Sequence, residues 1–206
     1  MKITLAKIKE HNPCIDGWER ILAAQGPDMD REWPLVEAFD SNGLEHVLWA
    51  LRCLPEHSRL WRKYAVWCVM QVDHLLPDQR SMDALDIAWS HSDCWATDAE
   101  LAAARDAAWA AAEAASSDAR DAARAAALAS ASDAAWAAAE AARYAAWAAA
   151  GAARDAAKAA ASAAASDARD AARAAWVSAN DAARAAQKDK LIQILTAGEW
   201  VQEDGR

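Results

Sequence analysis

No proline follows Pro77 in this chain of 206 residues, and only six glycines are spread along it. Tight turns between short segments call on Gly or Pro, so the distal part is predicted to run in long segments. No stretch alternates apolar and polar residues as a half-buried strand does. No run of eighteen apolar residues free of charge exists either, which excludes a membrane-spanning helix. The start, MKITLAKIKEH, lacks the apolar core and cleavage site of a secretion signal. A soluble protein of the host cell cytoplasm is the expectation. An excess of positive charge is also missing: the formal net charge is -9. General nucleic-acid binding needs a basic footprint and is excluded. The acidity is concentrated before Thr97, with 15 Asp/Glu against 10 Lys/Arg, whereas the alanine-rich region is nearly balanced at 13 against 11. Ordinary solubility accounts for such a bias better than mimicry of a nucleic acid.

Reactive motifs are scarce too. There is no Gly-rich phosphate loop, no HExxH and no GxSxG. Asp73 and His74 are adjacent, so on a helix they point in different directions. Cys14, Cys53, Cys68 and Cys94 contain no CxxC pair, and in a cytoplasmic chain they are expected to be buried thiols. His91 and Cys94 fall at i, i+3. A zinc site needs about four ligands, and His11, His46, His57 and His74 supply no second pair. The reading is a non-enzymatic protein without catalytic residues, metal or cofactor.

What the chain has in quantity is alanine, from about Ala99 to Lys190, interrupted by Trp, Arg, Asp, Glu and Ser. The interruptions recur in steps of three or four, averaging roughly 3.7, close to the helical period. Among them are Trp109, Arg120, Arg124, Trp136, Glu140, Arg143, Trp147, Arg154, Lys158, Ser162, Ser166 and Arg173. An eleven-residue count also fits, through Trp136, Trp147, Lys158, Arg169, Asn180 and Leu191, as in right-handed supercoils. Alanine is the best helix former, so each helix carries one polar and aromatic stripe on a surface of methyl groups. A single helix of this length would reach about 135 Å. The pairs Ser117-Asp118, Ser132-Asp133, Ser166-Asp167 and Asn180-Asp181 resemble N-caps. The stripe nevertheless keeps its phase through them. Gly151 is the predicted break, because the repeat SDARDAARAA at 117–126 and 166–175 brackets it as two arms would. So wide an alanine face should be covered, by the other arm, by the proximal helices or by a second copy in a homo-oligomer.

Before this region the pattern is a compact helical domain, giving an all-α organisation of residues 1–97, alanine-rich helices over 98–197 and a tail at 198–206. Thr4 is predicted to cap a first helix that stops before Asn12-Pro13. Ile15, Trp18, Ile21 and Leu22 form the apolar face of the next, ending near Gly26-Pro27. Pro34 opens a short helix ended by Ser41-Asn42-Gly43, and Leu44 to Leu54 make another. Ser58 is predicted to cap a central core helix bearing Trp61, Tyr64, Cys68 and Leu75. Met82, Leu85 and Trp89 face inward from the helix after Pro77-Asp78. Thr97-Asp98-Ala99-Glu100 is a capping box that starts the alanine region.

Five segments together carry a resemblance: HNPCIDGWERILAAQG, SNGLEHVLWALRCLPEH, YAVWCVMQVDHLL, SMDALDIA and TDAELAAARDAAWAAA. The chain resembles, over its whole length, a helical family of phages and prophages whose members are labelled immunity proteins. The resemblance implies neutralisation of a toxin, or of a host anti-phage defence component, by direct binding. It supplies no catalytic residues to carry over.

The aromatic content is unusual, with 12 Trp and one Phe. Seven tryptophans (Trp18, Trp33, Trp49, Trp61, Trp67, Trp89 and Trp95) precede the alanine region and are expected to fill the first core. Trp136, Glu140, Arg143, Tyr144 and Trp147 share one face over three helical turns, and Arg154 extends it. Three readings fit this face. The rings could knit alanine helices together. The face could be a protein-binding patch, since Trp and Arg dominate interface hot spots. It could also hold a small nucleotide signal, with rings stacked on the base and guanidinium groups on phosphate. A purely structural oligomerisation module is the remaining alternative. The other charges form i, i+3 and i, i+4 pairs such as Asp121 with Arg124 and Asp170 with Arg173, worth a few tenths of a kcal/mol each, and are expected to be a solvated face.

Overall fold

Three of the proximal helices begin where a side chain holds a free amide of the first turn. The computed structural model describes residues 1–115, 117–160 and 167–202. Thr4 Oγ1 accepts from the Lys7 amide at 3.2 Å and starts α1 (Leu5–Glu10). Helix α2 (Ile15–Gln25) follows with Cys14 at its N-cap. Ile15, expected on the apolar face, instead points to solvent at 78 % exposure. Two short strands, β1 (Lys2–Ile3) and β2 (Trp33–Pro34), pair antiparallel with Ile3 opposite Trp33. Two residues are too few to show alternation, so the sequence pattern does not reveal this bridge. A 3-10 turn at Leu35–Glu37 leads into α3 (Ala38–Ala50), which kinks at Gly43 with φ at 74°. Only glycine adopts that dihedral without strain, and the predicted break falls there.

Helix α4 (Ser58–Met70) buries Trp61, Tyr64, Ala65 and Cys68, as a central core helix should. Its cap differs from expectation: His57 occupies the N-cap without a side-chain bond, and Leu75 lies beyond α4 in a 3-10 turn. Asp78 caps α5 (Gln79–Ser92), accepting from the Arg80 amide at 3.0 Å. Trp95, expected in the core, stands 85 % exposed in the loop that follows. The capping box at Thr97 and Glu100 forms as predicted and begins α6 (Asp98–Ala114).

The distal helices are α6, α7 (Ser117–Ala129), α8 (Ala134–Ala160) and α9 (Asp167–Ala197). Gly151 does not break the run: it is buried inside α8. A glycine in a helix interior costs about 1 kcal/mol, less than the packing of α8 against its neighbours supplies. Asn180-Asp181 likewise stays within α9. Among the described residues, α6 ends instead after Ala114 and α7 after Ala129, without glycine or proline, and an arginine bonds the carbonyls at each end. Arg120 Nη2 donates to the Ala115 carbonyl at 3.0 Å. Arg62, only 4 % exposed on α4, donates to Ala129 O at 3.2 Å, Ala131 O at 2.6 Å and Ser132 O at 3.2 Å. Cations at a helix C-terminus satisfy its orphan carbonyls and oppose the dipole. Burial lowers the Arg62 pKa, and the charges of Asp98 and Asp133 act against that shift. On the far side of the turn, Asp133 accepts from the Ala135 and Trp136 amides at 3.0 Å each and caps α8. The predicted cap at Ser166 lies outside the described residues.

Helix α8 is the hub, packed against α9, α7, α4 and α3. Ala137, Ala138, Ala141, Ala142, Ala145 and Ala148 bury their methyl groups there. One hydrophobic cluster joins them to Leu5, Leu35, Leu48, Trp61 and Tyr64, running across Thr97 without interruption. Polar ties fix the register: Tyr64 donates to Gln187 O at 3.2 Å, and Gln187 Nε2 donates to Ala142 O at 2.8 Å. Among the described residues no helix is long and apolar enough to cross a membrane.

Candidate functional site

The stripe of α8 faces outward because the other sides of the helix are occupied by methyl-to-methyl packing. Trp136 and Trp147 are 43 % and 42 % exposed, a high figure for the largest apolar side chain. Between them, Glu140 and Arg143 form an ion pair one turn apart. The Arg143 guanidinium carbon lies 5.2 Å from the Tyr144 ring centre and 5.1 Å from that of Trp147. The two rings meet edge to face, 5.3 Å apart at 72°. Arg143 Nε is buried without a hydrogen-bond partner. The structure therefore brings Glu140, Arg143, Tyr144 and Trp147 into one fixed cluster. Trp136 and Arg154 stand apart from it along the axis, each seven residues from the nearer end of the Arg143–Trp147 pair, about 10 Å away. Arg154 approaches Asp155 at 3.7 Å. Trp109 on α6 is also exposed, while Trp176 on α9 is half-buried.

This geometry suits recognition of a surface. Contacts with two rings and with Glu140 hold the guanidinium in place, which reduces the ordering cost a free arginine would meet on binding. The remaining stripe charges behave as a solvated face, with Asp121 and Arg124 at 3.7 Å and Asp155 and Lys158 at 3.1 Å.

A second site was not legible in the sequence. Trp67, Met70, Met82, Trp89, Lys190 and Trp200 line a cavity of about 380 Å³ between α4, α5 and the end of the chain. Trp89 and Trp200 meet edge to face at 5.3 Å. Lys190 Nζ donates to Val201 O at 2.7 Å and lies 4.7 Å from the Trp200 ring centre. Lys63, paired with Asp93 at 2.7 Å, lies 5.0 Å from that of Trp89. Periodicity assigned Trp67 and Trp89 to core filling, and Trp200, beyond the alanine repeat, carried no signal.

The cysteines divide. Cys53 and Cys68 are buried thiols, and burial pushes the Cys53 thiol up to about 11. Cys14 and Cys94 are exposed, against expectation. Cys94 sits in a left-handed bend at φ 63°, which turns it out of the helix. His91 does not turn to Cys94; its Nε2 lies 2.8 Å from Asp98. Among the described residues no group of three His, Cys, Asp or Glu side chains is placed to hold a metal ion. Compared with known proteins, the chain matches no family model, no curated protein and no solved structure.

Proposed function

We propose that this is a non-enzymatic protein of phage or prophage origin that neutralises a toxin or a host anti-phage defence component by direct binding. The observation that carries the reading is the half-exposure of Trp136 and Trp147 on either side of a preset Arg143–Tyr144 cluster. Exposed indoles beside a stacked guanidinium are the side chains that dominate protein interfaces when truncated. The contact surface is the outer face of α8, with Trp136, Arg143, Tyr144 and Trp147 at its centre and Arg154 at its rim. The test replaces Trp136, Arg143 and Trp147 together with Ala and compares protection of the host with that given by the unaltered chain. Loss of protection in a folded variant supports the surface; full protection rules it out.

The second reading is a sponge for a small nucleotide signal, and the indole-lined cavity beside Lys190 favours it. Stacking on aromatic rings is worth about 1–3 kcal/mol per base. Native mass spectrometry of protein recovered from its host cell separates the two readings. A sponge carries a small molecule; an inhibitor carries a macromolecule.

A further inference from the structure

Cys14 is part of a built arrangement. It occupies the N-cap of the eleven-residue helix α2, where its Sγ accepts from the Gly17 amide at 3.4 Å. His46, from α3, places Nε2 3.7 Å from that sulfur. The other ring nitrogen, Nδ1, lies 2.7 Å from the Asn42 carbonyl oxygen and can only donate to it. In a neutral ring that contact leaves the lone pair on Nε2, toward the thiol. The Asn42 side chain in turn donates to Gly17 O at 2.7 Å, tying α3 to the first turn of α2. Gly17 makes the approach possible: a Cβ there would lie 2.6 Å from His46 Cδ2 and 3.1 Å from Cys14 Sγ.

The pair opens on a cavity of about 220 Å³ whose other walls include Ile8, Ile21, Trp33 and Ala38. Trp33 is 3 % exposed, and its indole N–H makes no hydrogen bond. A buried donor without an acceptor costs about 1–3 kcal/mol and is relieved by a ligand that brings a carbonyl oxygen. A thiol, a base held in one tautomer, an apolar chamber and an unused donor meet in one place.

We propose that Cys14 and His46 form a nucleophilic thiol site that captures the acyl group of a small acyl thioester, with the acyl chain housed in the adjoining cavity. In this step Cys14 Sγ attacks the carbonyl carbon as its proton passes to His46 Nε2. The bond from that carbon to the leaving sulfur then breaks, and the leaving thiolate takes the proton from His46. The products are an S-acyl Cys14 and a free thiol, with no oxidation or reduction. A thioester fits better than an ester or amide because a thiol leaves with the least help from an acid, and His46 is the proton carrier placed at the sulfur. Cys14 sits at the N-terminus of α2, where the helix dipole and the Gly17 amide favour negative charge on its sulfur.

The experiment incubates the full chain with the butyryl thioester of N-acetylcysteamine, follows intact mass and released thiol, and locates the adduct by peptide mapping. Cys94, also exposed, is the reference within the same molecule. The expected result is acylation at Cys14 at least ~10-fold faster than at Cys94, with one thiol released per adduct formed. His46→Gln is expected to slow it by ~100-fold, in the range of a lost general base. A butyryl donor should outpace an acetyl donor, because the cavity rewards the longer chain. Equal rates at the two cysteines, absence of both adduct and thiol release, or an unchanged rate in folded His46→Gln overturns the proposal. The comparison with Cys94 needs no variant, so a misfolded substitution does not shelter it.

Discussion

Helices α1–α5 and helices α6–α9 bury apolar surface with opposite materials. The first set uses Leu5, Leu48, Trp61 and Tyr64, few and large; α6–α8 use mainly alanine methyls, small and many, and the end of α9 returns to Leu191, Ile194 and Leu195. Large side chains leave a cavity when truncated, whereas alanine faces leave no room when enlarged. The two halves should therefore fail in opposite directions, although they share one cluster. Trp61→Ala is the largest expected loss, about 3–5 kcal/mol. It empties a fully buried site and removes the 3.0 Å bond from the indole N–H to Leu54 O. Urea denaturation measures it, and a loss under about 1 kcal/mol would mean that the proximal core can collapse into the space.

Next comes the joint between the halves. Arg62→Met keeps an unbranched apolar stem but withdraws the donors from the carbonyls of Ala129, Ala131 and Ser132, at the end of α7 and in the turn after it, at an expected cost of about 3 kcal/mol. Amide exchange in α7 should rise more than in α2, since the cap acts locally. In the alanine half, Ala141→Leu should cost about 2 kcal/mol by overpacking α8. Stabilisation by that change would show spare room at the hub and end the contrast between the halves.

These cases also mark what was legible in the sequence. Helicity, the Thr97 capping box, the Gly43 kink and the shared face of the stripe are local, decided within a few residues by propensity, dihedral or period. The turns were not. Phase continuity pointed past 130–133 to Gly151, because the group that ends α7 is Arg62, some seventy positions earlier. The same limit applies to Cys14 with His46 and to Trp89 with Trp200, pairs made by helix packing rather than spacing. The exposure of Trp95 had no counterpart in composition, which places any tryptophan in a core.

A smaller effect concerns acid. Side-chain and amide hydrogen bonds from Arg80 hold the Asp78 carboxyl down to about 2, against an ordinary 3.8. A depressed folded value means the contribution is present above about pH 4 and is lost as pH falls toward 2. Asp78→Asn keeps a good cap for α5 without the titration. Its melting temperature should fall less between those limits than that of the unaltered chain. Equal slopes would show that the Arg80 contact is absent in solution.

The smallest expected change in stability is the most informative. Trp136→Ala should cost under about 0.5 kcal/mol, as a surface substitution does. Trp147→Ala should cost about 0.5–1 kcal/mol, the worth of its contact with Arg143. A loss of several kcal/mol at Trp136 would make the ring a spacer that knits alanine helices, and the stripe would then belong to the fold. A near-neutral effect leaves a tryptophan held against water without structural return on the helix most tightly packed elsewhere. Selection for stability alone would not keep it there, whereas a surface awaiting a partner would.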